Sequence, residues 1–407
     1  MNTTSITNFG AVGDGVADDT AALQAALVFT LAHLVCLYIP SGTYKIIPDN
    51  LPTVVLQSNF CMRGDGVSSI LDFHPTENTT FKILWKLMGT NIWLSDFKIN
   101  WVGVDNPSGG PILFETGVSH NVVMNNLEVD MGVSQKEGTR NYFSAIWLAH
   151  TGNATHWTIT NNRFYNIDYG FLKANWGTGI QKHWLFSNNH FERCNNGALS
   201  FNTPNGVMEN IRVVGNTFKD QLRKRHIGGV AGGAHARGFY FSHNTFSGMG
   251  TGLHFEEGAQ EVIISSNWFS MEVNAMEFLD NAVSGTQRYP TLYVVTNNII
   301  NGGHKERQSN TRGIWIIWDS SGMAGGADFV ISGNVIKGVE RCLSFGQELN
   351  ERLVVTSNYC SECYYCVFSG GRIPRGVRNN VCHKCSKEAF YRWGPLSEFR
   401  IHNIVTA

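Results

Sequence analysis

From Trp157 onward the chain repeats one hydrophobic–polar pattern. An alternating strand runs into an asparagine, and an apolar residue follows two positions later. The repeats read "WTITNNRF", "WLFSNNHF", "IRVVGNTF", "FYFSHNTF", "VIISSNWF", "LYVVTNNII", "FVISGNVI", "LVVTSNYC" and "GVRNNVC". Their asparagines are Asn162, Asn189, Asn216, Asn244, Asn267, Asn298, Asn334, Asn358 and Asn380, mostly 22 to 28 residues apart. Each unit continues into a second alternating strand, among them "GALSFN", "TGLHFEE", "NAMEFLD" and "RGIWIIWD". Two earlier units, "IWLSDFKIN" and "VVMNNLEVD", carry the same pattern in degraded form.

Short strands at this period, punctuated by Asn and Gly, predict a parallel β-helix in which each rung stacks its inward residues on those below. The repeated asparagines are then expected to ladder inside a bend and to bond the backbone of a neighbouring coil. The same register accounts for the cysteines. Cys360 and Cys382 fill the slot two after the asparagine, Cys363 and Cys385 lie one rung apart, and Cys366 matches Cys342. Their C-x2-C spacing imitates a zinc site. A 22-residue repeat produces the same spacing whenever one interior slot is filled twice. The expectation is a stack of buried, metal-free thiols, with zinc or a disulfide as the alternatives.

The start of the chain is patterned differently. Thr20 to Pro40 is uncharged and long enough to raise the question of a membrane span. It opens behind Asp18 and Asp19, contains Gln24, Thr30 and His33, and has no basic segment before it. It therefore reads as a helix followed by a strand, capped by Asp18 or Asp19, with Leu23, Leu27, Leu31 and Leu34 as its apolar stripe. The expected organisation is an N-terminal cap segment over 1–35 and one continuous β-helix over 36–407.

Composition narrows the function. Of 407 residues 43% are apolar and 15% charged, and the formal net charge is -1, so no nucleic-acid or membrane partner is expected. Nine cysteines without a secretory leader pattern suggest thiols made in a reducing compartment.

"ITNFGAVGDGVADDTAALQAAL" followed by "LYIPSGTYKI" resembles the N-terminus of the pectate-lyase-like right-handed β-helix family. That family includes bacteriophage tailspike depolymerases, polysaccharide lyases, glycoside hydrolases and mannuronan epimerases. The resemblance implies an all-β, right-handed solenoid whose first helix caps its open end. It also implies a glycan substrate, a homotrimer of tailspike character, and a place on a virion tail or outside the cell. Epimerases of the family carry Asp-Pro-His-Glu after a Tyr-Gly segment. Here "DYGFLKANWG" has Leu172, Lys173, Ala174 and Asn175 at that place, without the acid and base.

Chemistry in such a stack belongs on the outward positions of the second strand. Alternation turns Leu253, Phe255, Met276 and Phe278 inward, and His254, Glu256 and Glu277 outward. Glu277 stacks on His254, with Glu256 diagonal to it. Carboxyl groups roughly 6.5–9.5 Å apart suit inverting glycoside hydrolysis, one as acid and one activating water. The candidate catalytic residues are Glu256, Glu277, Asp280 and His254. The candidate substrate-binding residues are Lys173, Asn202, Arg237, Trp147, Trp318 and Asp319. Neither metal nor cofactor is expected. Taken singly, each carboxylate also reads as an ordinary solvated strand end. A lyase using Lys173 or His254 as base, or a glycan-binding spike without catalysis, remains as an alternative.

Overall fold

The computed structural model describes residues 2–75, 83–102, 112–132, 144–148, 152–173, 179–201, 206–221, 227–233, 236–256, 259–280, 292–302, 311–318, 328–346, 353–370, 376–386, 390–392 and 403–406. The fold is a parallel β-helix, as the repeat predicts, and right-handed, as the resemblance implies. The chain forms two compact units, residues 1–200 with 205–208, and 201–204 with 209–407.

In the first unit, helix α1 (Thr20–His33) packs against the strand Cys36–Ile39. Asp18 caps it, accepting from the Thr20 backbone N–H at 3.0 Å and from the Thr20 hydroxyl. The Asp19 carboxylate turns back instead and accepts from Val12 N at 2.7 Å and Gly13 N at 3.1 Å. The buried face is Ala22, Leu23, Ala26, Leu27 and Thr30. This corrects the expected leucine stripe. The helix ends at His33, so Leu34 sits in a left-handed turn and is exposed. No described helix is long and apolar enough to cross a membrane. The following strands pair in parallel, for example Ile83–Ser95 with Ile112–Asn125, and Ala154–Thr160 with Ile180–Ser187. The last pair stacks Trp157 on Trp184 in the core, with ring centroids 4.4 Å apart and the planes 1° from parallel.

The second unit repeats three strands per rung. One ladder runs Thr245–Phe255, Trp268–Asp280, Arg312–Trp318, Arg341–Phe345 and Tyr365–Ser369. Another runs Gln260–Ser265, Leu292–Thr296, Asp328–Ser332 and Leu353–Thr356. The third continues from Trp268 through Ile299–Gly302, Val335–Lys337, Tyr359–Ser361 and Val381–His383. The repeated asparagine sits at the bend between the second and third ladders, and the expected ladder of amides is present. Asn244 Nδ2 donates to Asn267 Oδ1, Asn267 to Asn298, Asn298 to Asn334, Asn334 to Asn358, and Asn358 to Asn380. It runs one step past the recognised repeats, to Asn403. In the first unit Asn162 and Asn189 are joined in the same way. There the ladder begins, because Leu127 fills the preceding slot and only its backbone N–H bonds Asn162 Oδ1. The residue before each ladder asparagine takes a left-handed backbone, as at Ser266, Asn297, Gly333 and Ser357. Glycine, asparagine and histidine, which hold several of these positions, accept that turn more readily than most residues.

The slot two after the asparagine is filled as expected. Phe246, Phe269, Ile300, Ile336, Cys360 and Cys382 stack in register and are wholly buried. The cysteines depart from the all-thiol expectation in two places. Cys366 and Cys382 form a disulfide, and so do Cys36 and Cys61 near the N-terminus. Cys366 and Cys382 lie on different ladders and meet inside the coil, whereas Cys36 and Cys61 are register partners on neighbouring rungs. The Cα atoms of these pairs are 5.9 and 4.6 Å apart, within the reach of a disulfide at roughly 4.4–6.8 Å. Cys194, Cys342, Cys360, Cys363 and Cys385 remain thiols.

Candidate functional site

The second unit brings three of the four candidate catalytic side chains into one hydrogen-bonded chain. Leu253, Phe255, Met276 and Phe278 point into the core and anchor their two strands. The residues between them face outward, and the register pairs His254 with Glu277. Glu256 lies just past the end of its strand, its backbone N–H held by Gly232 O at 2.9 Å. The imidazole of His254 lies between the two carboxylates. Its Nδ1 is 2.9 Å from Glu277 Oε2, and its Nε2 is 3.3 Å from Glu256 Oε2. Asn274 Nδ2 makes a long contact, 3.5 Å, to the other Glu277 oxygen.

Burial grades the three groups. The side chain of His254 is 6% exposed, that of Glu277 14% and that of Glu256 28%. Glu256 is therefore the one a ligand meets first. Burial by itself would pull the His254 pKa down. Hydrogen bonds to Glu256 and Glu277, and their negative charges, outweigh it and push the pKa up to about 9. At neutral pH the imidazole is thus an imidazolium that donates from both nitrogens.

This pairing has a consequence for stability. The folded pKa lies above the ordinary value of 6.5, so the contribution is complete below about pH 6.5 and vanishes as pH rises through about 9. A shift of that size corresponds to something on the order of 3 kcal/mol. Chemical denaturation at pH 6 and pH 9.5 should show it as lost stability at the higher pH. His254→Gln should flatten that difference, and an equal loss in the variant would assign it to other groups.

Beyond Glu277 the same outward column continues with Trp315 in register. The Arg312 guanidinium carbon lies 3.7 Å from the Trp315 ring centroid, a cation–π contact. One rung further, Arg341 stacks over Phe368 at 3.9 Å and bonds Glu340 at 3.2 Å. Arg312 reaches this face through its register with Asn274.

The other candidates fare differently. Arg237 lies on the strand Ala236–Ser242, away from the His254 ladder, where Glu209 holds it at 3.0 Å. Asp280 and Trp318 are register partners on neighbouring strands of the His254 ladder, and only their backbone is described. Trp147 and Lys173 lie on paired strands of the first unit, again described for the backbone alone. Asn202 and Asp319 fall outside the described residues. Asn274 was missed. It sits three residues before Glu277 within one strand, and its inward-bent contact has no signature in spacing.

Comparison with known proteins agrees with the fold. Residues 3–199 match a family model described as rhamnogalacturonase A/epimerase, pectate lyase-like. A segment of 69 residues is 38% identical to mannuronan C5-epimerase AlgE1 of Azotobacter vinelandii, covering 16% of this chain and 5% of that protein. Among solved structures, the pre-mature gene product 12 of bacteriophage phi29 superposes with a TM-score of 0.58 at 16% identity, over 95% of this chain and 53% of its own. The tailspike of Escherichia coli bacteriophage HK620, solved with a pentasaccharide, gives 0.54 at 14% identity, over 100% of this chain and 67% of its own. The chain thus spans about half the length of the phi29 protein and a small part of the epimerase.

Proposed function

We propose that this chain, a pectate-lyase-like right-handed parallel β-helix, is a polysaccharide depolymerase that hydrolyses a bacterial surface or extracellular glycan at Glu256 and Glu277. The observation that carries the reading is the buried His254 ring held between two carboxylates, 2.9 Å from Glu277 and 3.3 Å from Glu256. Inverting hydrolysis needs one protonated and one ionised carboxyl group, with room for water between them. The His254 ring lies between Glu256 and Glu277, so the sugar and the attacking water approach the pair from its exposed side, and the His254 proton can pass to either carboxylate. In the proposed step that proton moves to Glu256, the more exposed group, which gives it to the glycosidic oxygen as the bond to the anomeric carbon breaks. Water attacks that carbon from the opposite face and leaves its proton on Glu277. His254 then carries the proton back. The pH profile should keep its activity up to about pH 9 and fall above it, where the shared proton is lost.

Polysaccharide as the substrate class is supported by the family description and by the pentasaccharide bound to the HK620 tailspike. Trp315, the register partner of Glu277, carries Arg312 over its ring and sets an aromatic and cationic surface beside the base. A virion tail or the extracellular medium is the proposed place of action. A homotrimer is the proposed assembly, supported by outward-facing Trp268, Ile299, Val335 and Tyr359 in one register column, all exposed. Light scattering reporting a monomer at micromolar concentration would remove the trimer.

The reaction is tested on a panel of bacterial capsules and exopolysaccharides, reading reducing ends and unsaturated-uronate absorbance together. Reducing ends alone support hydrolysis. Both signals assign a lyase, and binding with neither assigns a glycan-binding spike.

A further inference from the structure

We infer that Cys363 and Cys385 form a second cross-rung disulfide site, closed by exchange with a small external disulfide. Their sulfurs are 3.1 Å apart on neighbouring rungs, and a bond needs them at about 2.0 Å. The rung beside them is already bonded through Cys366–Cys382, so the two C-x2-C segments would be joined twice. Stacked cysteines elsewhere in this chain are bonded at Cα separations that the register alone provides, as at Cys36–Cys61.

The free thiols are not equivalent. Cys194, Cys342, Cys360 and Cys363 are buried, and Cys385 is half-exposed, so a small disulfide meets Cys385 first. The Cys385 sulfur attacks one sulfur of that disulfide, and its proton leaves with the departing small thiol. The mixed disulfide on Cys385 is then attacked by Cys363, which expels the second small thiol. Two protein thiols are oxidised and one external disulfide is reduced to two thiols. In the free pair, hydrogen bonds from Cys342 and Cys385 lower the Cys363 pKa to about 5, and the same contact raises that of Cys385, so the two adjacent sulfurs hold one proton between them and supply one thiolate for exchange. The bond would close a loop between positions 22 residues apart and tie the last described rungs together.

The test incubates the full-length folded protein with glutathione disulfide, then quenches with acid, denatures and alkylates. Free thiols should fall from five to three, and the peptide map should show Cys363 linked to Cys385. The thermal midpoint of the oxidised protein should rise by a few degrees. Cys385→Ser should abolish the thiol loss and the rise, and Cys194→Ser should leave both in place. A persistent glutathione adduct on Cys385, a bond from Cys363 to Cys342, or an unchanged thiol count each overturns the inference. The map of the unmutated protein decides the linkage even where a variant fails to fold.

Discussion

Replacing Glu256 by glutamine is expected to lower the rate of reducing-end release by about 10²–10⁴ while glycan binding persists, the loss typical of removing a general acid or base. The substitution keeps the shape and the bond to His254 but removes the site that receives the shared proton. Glu277→Gln should fall in the same range, because the attacking water then has no carboxylate to take its proton. The two variants differ in one respect. Glu277 makes the shorter bond to His254, 2.9 against 3.3 Å, and is the less exposed carboxylate, so its loss should lower the His254 pKa further. The alkaline limb of whatever activity survives should move to lower pH in Glu277→Gln than in Glu256→Gln. Near-normal turnover in both variants, with binding intact, would place the reaction elsewhere on the helix.

The largest stability effect is expected at the centre of the amide ladder, in Asn298→Ala. Asn298 is wholly buried. Its Nδ2 donates to Ile264 O, Thr296 O and Asn334 Oδ1, and its Oδ1 accepts from the backbone and side-chain N–H groups of Asn267. Alanine leaves the Asn267 backbone N–H without its acceptor and takes one partner each from Asn267 Nδ2, Ile264 O, Thr296 O and Asn334 Oδ1 where water has no access, although Asn334 Oδ1 keeps the Asn298 backbone N–H and Thr296 O keeps that of Ser266. Each buried polar group left unsatisfied costs about 1–3 kcal/mol, so a total of about 3–5 kcal/mol is expected once the bend relaxes. Urea titration followed by tryptophan fluorescence measures it. A loss under about 1 kcal/mol would mean that the bend is held by strand pairing rather than by the amides. Asn403→Ala supplies the contrast. Asn403 lies at the last described step of the ladder and is the least buried of its asparagines, so the loss there should be smaller.

How far the site could be read in advance differs residue by residue. That His254 and Glu277 meet was legible, because a period-two strand inside a regular repeat leaves one choice of face and one register. That His254 stands between two carboxylates was not, since Glu256 reaches it by a side-chain torsion at the end of a strand. Arg237 stood among the candidate binding residues, and the structure pairs it with Glu209 on a different ladder.

The sequence by itself determined the stacking, the slot each repeated residue occupies and the amide ladder. In a parallel coil these follow from periodicity, since every rung repeats the same backbone path and a residue at a fixed offset must lie above its counterpart. Tertiary structure alone decided which stacked cysteines bond and which remain thiols, because several sulfurs share neighbouring slots and only side-chain direction selects among them. It also decided that His254 carries a proton at neutral pH. An isolated histidine ionises near 6.5, and the shift to about 9 exists only where two carboxylates on separate backbone segments converge on one buried ring.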